Sequence, residues 1–188
     1  IQTYVLRENK QVIKDAIYKE LSRQGQVFIL YNNVAKIIDK TSEIKRLVPE
    51  ASATYIHGQM NKEQIEKTME EFVEHKYDIL VCTTIIETGI DIENANTLIV
   101  LDADHFGLSQ LYQIRGRIGR GKQIAYAYLM YDKNKELNDV AIKRLDAIKE
   151  FTELGSGYAL ALRDLSIRGA GDILGQQQSG FIDTIGYD

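Results

Sequence analysis

The 188-residue sequence has one cysteine, one proline and three histidines. A single thiol leaves no intramolecular disulfide, and Cys82 sits inside the apolar run Ile79-Leu80-Val81-Cys82, the setting of a reduced core residue. His57, His75 and His105 are scattered without acidic or cysteine clustering, so no metal site is expected. No window approaches the roughly 18 consecutive apolar residues of a membrane span, and no basic segment leads into an apolar one at the start. A soluble, cytoplasmic protein without a membrane partner is the expectation. The chain opens at Ile1 rather than Met and stops at Asp188 without a helix stop, so both ends read as cuts in a longer polypeptide.

Positive charge is also scarce overall, with a net charge of -4. It is unevenly placed, however: between His105 and Arg168 lysines and arginines outnumber aspartates and glutamates, which gives an acidic chain a locally basic second half.

Short β-branched or aromatic runs alternate with helical periodicity, the pattern of βαβ units and of an α/β fold with a mostly parallel sheet flanked by helices. Strands are predicted at Thr3 to Leu6, Val27 to Tyr31, Ala53 to His57, Ile79 to Thr83, Thr97 to Leu101 and Ala125 to Tyr131. Helices are predicted near Lys10 to Arg23, Val34 to Leu47, Lys62 to Glu74 and Leu108 to Arg115, and Pro49 follows the second as a stop. After Tyr131 the strands end. Leu137, Ala141, Arg144, Ile148 and Phe151 recur at helical spacing, as do Tyr158, Ala161, Leu162, Leu165 and Arg168, with Gly155 and Gly157 between them. Two units follow from this: residues 1–131 as the α/β domain, and 132–188 as a helical hairpin with a glycine-rich loop. Each stripe carries an arginine, Arg144 and Arg168, where an apolar residue packs at lower cost; snorkelling to solvent is the simplest account.

Ligands of open α/β sheets bind beyond the carboxyl ends of the strands, so the residues there carry the chemistry. Gln113-Ile114-Arg115-Gly116-Arg117-Ile118-Gly119-Arg120 is the strongest local signal. On a helix, Gln110, Gln113, Arg117 and Arg120 share one face, and two guanidiniums one turn apart suit adjacent phosphates. Gly116 and Gly119 weaken such a helix, which suggests close approach of another group to its backbone. Gly116 to Lys122 also has the spacing of a phosphate-binding loop, but no strand precedes it and Gln123 stands where that loop has Ser or Thr. Asp102-Ala103-Asp104-His105 imitates an acidic magnesium box without the upstream phosphate loop that such a box serves. Cys82-Thr83-Thr84-Ile85-Ile86-Glu87-Thr88-Gly89-Ile90-Asp91 follows a strand directly, with hydroxyls and amides placed for phosphates and Gly89 allowing a sharp turn.

The octet resembles motif VI of superfamily 2 helicases, and the threonine-rich turn, roughly 25 residues earlier, resembles their motif V. Leu30-Tyr31-Asn32-Asn33 and His57-Gly58-Gln59-Met60 are similar to motifs IV and IVa. The tail from Ile167 to Gly180, IRGAGDILGQQQSG, resembles the translocation (TRG) motif shared by RecG and the transcription-repair coupling factors. Arg168-Gly169-Ala170-Gly171, Asp183-Thr184-Ile185-Gly186-Tyr187 and His105 to Leu111 are nearer the coupling factors than RecG.

The resemblance covers essentially the whole chain and implies a second RecA-like motor domain with a coupling hairpin. By it, Arg117 and Arg120, with Gln113, act at the γ-phosphate; Glu87, Gly89 and Asp91 meet the nucleotide; Asn32, Asn33, His57, Gly58, Thr83, Thr84 and Thr88 meet DNA; and Arg144, Arg168 and Gln178 couple hydrolysis to movement. ATP and Mg2+ would be held mainly by a first RecA-like domain, since no phosphate loop or acidic pair stands here, and this chain alone would not turn ATP over. The implied partners are double-stranded DNA, that first domain, RNA polymerase and nucleotide-excision-repair proteins, in a bacterial, nucleoid-associated setting. The alternatives are a RecG-type branched-DNA helicase domain and a non-enzymatic nucleic-acid-binding or docking module.

Overall fold

The computed structural model describes residues 2–83, 92–107, 109–110, 113, 123–132 and 138–152. Six strands form one sheet: β1 Gln2–Arg7, β2 Gln26–Leu30, β3 Ala53–Ile56, β4 Ile79–Cys82, β5 Ala95–Leu101 and β6 Tyr126–Tyr131. Their order is β1-β6-β5-β2-β4-β3, and every described pairing is parallel. The helices whose bounds lie among the described residues are α1 Lys10–Ser22, α2 Ile37–Leu47, α3 Lys62–Val73 and α4 Asp139–Thr152. All six expected strands are present, displaced by two residues or fewer at either end.

Strand geometry sorts the sheet into two cores. Successive side chains point to opposite faces. Phe28, Leu30, Leu80, Cys82, Leu98, Val100, Ala127 and Leu129 therefore face α3 and α4, where Met69, Phe72, Leu145 and Ala147 meet them. Val27, Ile29, Ile79, Val81, Ile99, Leu101 and Met130 face α1 and α2, against Ile13, Ile17, Ile37 and Ile44. Strands covered on both sides read as continuous apolar runs, which is why β2, β4 and β5 show no alternation in the sequence. Burial of one such side chain contributes roughly 1.5–3 kcal/mol. Helix propensity differs among ordinary residues by less than about 0.7 kcal/mol, so the cores decide which segments fold.

Helix starts follow local chemistry. Asn9 Oδ1 accepts the Val12 N–H at 3.1 Å ahead of α1. Asn61 and Gln64 form a reciprocal capping box ahead of α3. Asn138 Oδ1 accepts the Ala141 N–H at 2.7 Å ahead of α4. α4 covers Ala141, Arg144, Ile148 and Phe151 of the first expected hairpin stripe; the second stripe lies outside the described residues.

The amino rim of the sheet is stapled by a buried polar network. Glu20, with a fully buried side chain, binds Arg23 and accepts the Thr97 hydroxyl at 2.6 Å. Arg23 Nη1 reaches Ile124 O at 2.9 Å, and Gln26 Nε2 donates to Phe72 O at 2.6 Å and Tyr77 O at 2.8 Å. A Cβ on Gly25 would overlap Glu20 Oε2. Because Arg23 and Thr97 pin that carboxylate, it has no free rotamer to retreat into. Gly25→Ala is therefore expected to destabilise the domain by about 1–3 kcal/mol, measured by urea unfolding. Wild-type stability would mean that the network yields readily.

Candidate nucleic-acid and nucleotide interface at the carboxyl rim

Parallel pairing brings every carboxyl strand end to one rim. The Tyr31 N–H bonds to Cys82 O at 2.8 Å, and the Thr83 N–H to Ile56 O at 3.2 Å, so the exits of β2, β4 and β3 lie side by side. Asn32, Asn33, Thr83, His57 and Gly58 are thereby gathered along adjacent strands, as the sequence led us to expect.

Their side chains differ in what they leave available. Asn33 Oδ1 accepts the Lys36 N–H at 3.1 Å, which closes the turn into α2, whereas Asn32 is exposed on the rim. Lys40 braces this loop from α2. Its ammonium lies 3.6 Å from Glu8 and 3.5 Å from Glu43, with the Tyr31 ring beneath at 5.2 Å. Burial pushes its pKa down, but Glu8 and Glu43 outweigh that and hold it above an ordinary lysine's.

His57 is fixed by its own turn. Nδ1 accepts the Gln59 N–H at 3.2 Å, and the ring stacks on Tyr55 with centroids 6.0 Å apart. With Nδ1 an acceptor, neutral His57 carries its proton on Nε2 as a donor. Nothing lies within 4 Å of where a Gly58 Cβ would be. The fold itself therefore does not demand glycine there, and close approach of an external backbone is a physical reason for one.

Thr83 is 1% exposed, and its Oγ1 has no hydrogen-bond partner. A buried hydroxyl left unpaired costs about 1–3 kcal/mol, so this group is placed at a cost to stability.

On the other side of β2, β5 gives way after Leu101 to Asp102, whose backbone is left-handed at φ 54°, ψ 45°. A 3-10 turn, Ala103–His105, follows, and Gln110 Oε1 then accepts the Gly107 N–H at 3.0 Å in the manner of a capping box at a helix start. Ser109, Gln110 and Gln113 are helical, Gln110 and Gln113 both exposed. β2 leads to α2 on one face of the sheet, while Ala103 and Phe106 after β5 pack into the opposite core. The connections thus leave these parallel neighbours toward opposite faces of the sheet, which opens a crevice at their carboxyl ends. There Asn32, Asp102, His105 and Phe106 line a cavity of about 280 Å³. Sequence reading set Asp102 to His105 aside as an imitation acidic box; the left-handed Asp102 and the neighbouring β2 exit had no local signature.

Arg144 lies half-buried on α4. Thr84, Glu87, Thr88, Gly89, Asp91, Arg117, Arg120, Arg168 and Gln178 lie outside the described residues. No three His, Cys, Asp or Glu side chains gather into a metal-binding group among the described residues. Nor is any described helix long and apolar enough to cross a membrane.

Comparison with known proteins places this architecture. Across all 188 residues the chain is 59% identical to a transcription-repair-coupling factor of Staphylococcus epidermidis and spans 16% of that relative's length. RecG in a structure bound to a three-way DNA junction superposes with TM-score 0.78 and 33% identity, over 92% of this chain and 23% of that one. The Saccharomyces cerevisiae Dbp5 C-terminal domain, bound to Gle1 and IP6, gives TM-score 0.58 at 19% identity, over 81% of this chain and 85% of that one. The last likeness concerns the fold alone, a RecA-like sheet. Residues 8–122, from the end of β1 to just short of β6, match the helicase conserved C-terminal domain, and the chain belongs to that family.

Proposed function

We propose that this chain is the second motor domain of an ATP-driven double-stranded DNA translocase that acts on stalled RNA polymerase and couples transcription to DNA repair. The observation that carries the reading is identity to a coupling factor along the entire chain, tail included. Residues 1–131 form the motor half, and 132–188 the coupling hairpin and loop. Asn32, Asn33, His57, Gly58, Thr83, Thr84 and Thr88 contact the DNA backbone. Glu87, Gly89 and Asp91 meet the nucleotide, while Gln113, Arg117 and Arg120 reach its γ-phosphate.

The acidic pair and phosphate loop that hold Mg2+ and ATP belong to a first motor domain. In this reading the chain alone does not turn ATP over. RNA polymerase and excision-repair proteins are partners of the full-length protein, which acts on the bacterial nucleoid in the cytoplasm. The experiment is displacement of a stalled RNA polymerase by the full-length protein, driven by ATP. Failure of displacement together with efficient remodelling of branched DNA would favour the second reading, a RecG-type helicase, which the 33% identical RecG structure supports.

Thr83 tests the DNA assignment. Thr83→Val removes the unpaired hydroxyl and keeps the shape, so the melting temperature is expected to hold or rise. Loss of one charge-assisted hydrogen bond to a phosphate should weaken duplex-DNA binding by the full-length protein roughly ten-fold. Unchanged DNA affinity would leave the hydroxyl without an external partner.

A further inference from the structure

We infer that the crevice between β2 and β5 is a receptor for a guanidinium group, an arginine side chain presented by whatever domain faces the carboxyl rim. The inference rests on the two-domain motor reading for the source of that arginine, but not for the chemistry of the crevice.

Asp102, Asn32, His105 and Phe106 line the cavity. Among the described residues the Asp102 carboxylate forms no ion pair. Behind the His105 wall stands a second acid: the Asp104 side chain is 7% exposed, Oδ2 lies 3.7 Å from His105 Nε2, and Oδ1 has no hydrogen-bond partner. Among the described residues the cavity has one carboxylate in its lining and another buried behind it, which favours a cation there. Inside the cavity a phosphate is repelled; the DNA backbone proposed for Asn32 passes outside it, where that side chain is exposed. Among the described residues a divalent cation finds one carboxylate in the lining and no metal-binding group of acids around it, against the six or so ligands such ions take.

A guanidinium answers each feature. It is planar, permanently charged and weakly hydrated. It pairs with a carboxylate through two parallel N–H bonds, donates to an amide oxygen such as that of Asn32, and stacks on flat rings such as His105 and Phe106. An ammonium offers neither the fork nor the stacking face.

The test uses methylguanidinium chloride as the probe, titrated into this chain and followed by its amide NMR shifts, with sodium chloride at equal ionic strength as the control. Amides of Asn32, Asp102, His105 and Phe106 are expected to shift and saturate, and Asp102→Asn to weaken the binding about five-fold or more. Asparagine suits left-handed backbone as aspartate does, so the substitution removes charge and keeps the turn. An otherwise unaltered spectrum verifies this. Equal titration of both proteins, or shifts produced by magnesium chloride and not by methylguanidinium, would overturn the inference.

The source of the group is read in the full-length protein. There Asp102→Asn is expected to raise the KM for ATP about three-fold or more, with duplex-DNA affinity in the absence of nucleotide unchanged. A wild-type KM in that variant would overturn the assignment to a facing domain. Absence of DNA-stimulated ATPase in the wild-type protein would sink the translocase reading and leave the titration standing.

Discussion

Full-length protein carrying Arg120→Ala is expected to lose about a thousand-fold in ATP turnover while binding ATP nearly as well as the wild type. Phosphoryl transfer spreads negative charge over the equatorial oxygens of the moving group, and that charge is larger in the transition state than in bound ATP. A cation fixed at that position lowers the barrier without tightening ground-state binding, so its loss falls on kcat. In the sequence, Arg117 and Arg120 have the spacing that on a helix shares one face with Gln110 and Gln113. The described part of this segment fits such a placement: Gln110 and Gln113 are exposed on a helix that starts from the carboxyl rim. Arg117→Ala is expected to behave in the same direction. Measurement of kcat and KM for DNA-stimulated ATPase decides the matter. Normal turnover in both variants would remove the arginines from catalysis.

Loss of Arg168 is expected to produce the opposite combination: appreciable ATPase with little displacement of a DNA triplex strand or of stalled RNA polymerase. This arginine lies on the proposed hairpin stripe and outside the strand-end loops that meet ATP. Its removal leaves the finger arginines and the cleft intact while motion fails to reach the DNA. α4 has the right location for such a relay, since Leu145 and Ala147 share a core with Ala103 and Phe106, the residues that lead into the helix bearing Gln113. A parallel loss of ATPase and displacement would place Arg168 in catalysis or folding. Full displacement would return it to the ordinary class of solvated arginines.

Much of this was legible in advance because it is written in short-range pattern. Apolar runs marked every strand, and the residues just past those runs, Asn32, His57, Gly58 and Thr83, proved to share a rim. What stayed hidden depends on partners distant in sequence. Glu20 reads as an ordinary acid on an amphipathic helix, yet it is fully buried because Thr97 and Arg23 converge on it. Asn33 reads as one more strand-end amide, and that its oxygen also closes the turn leading into α2 had no local signature. Asp102 gave no warning of its left-handed backbone, since aspartate visits that region at some cost and no neighbouring residue announces it. The crevice joins exits of strands separated by some seventy positions in the chain, a distance at which periodicity is silent.

The pairing of the first strand with the last has a consequence for synthesis on the ribosome. β1 emerges before the other five strands of this sheet, yet in the described sheet it bonds only to β6, with Gln2 opposite Tyr126 and Arg7 opposite Tyr131. Throughout translation of the intervening segments it has no sheet neighbour. β2, β3 and β4 can meanwhile assemble among themselves, because each finds its partner within a shorter stretch. Closure of so long a loop is slow, and unpaired strands exposed during that wait invite aggregation. The nascent domain is thus a candidate for chaperone capture until Tyr131 has left the exit tunnel, and chains truncated before β6 should be recovered in inclusion bodies rather than as smaller folded units.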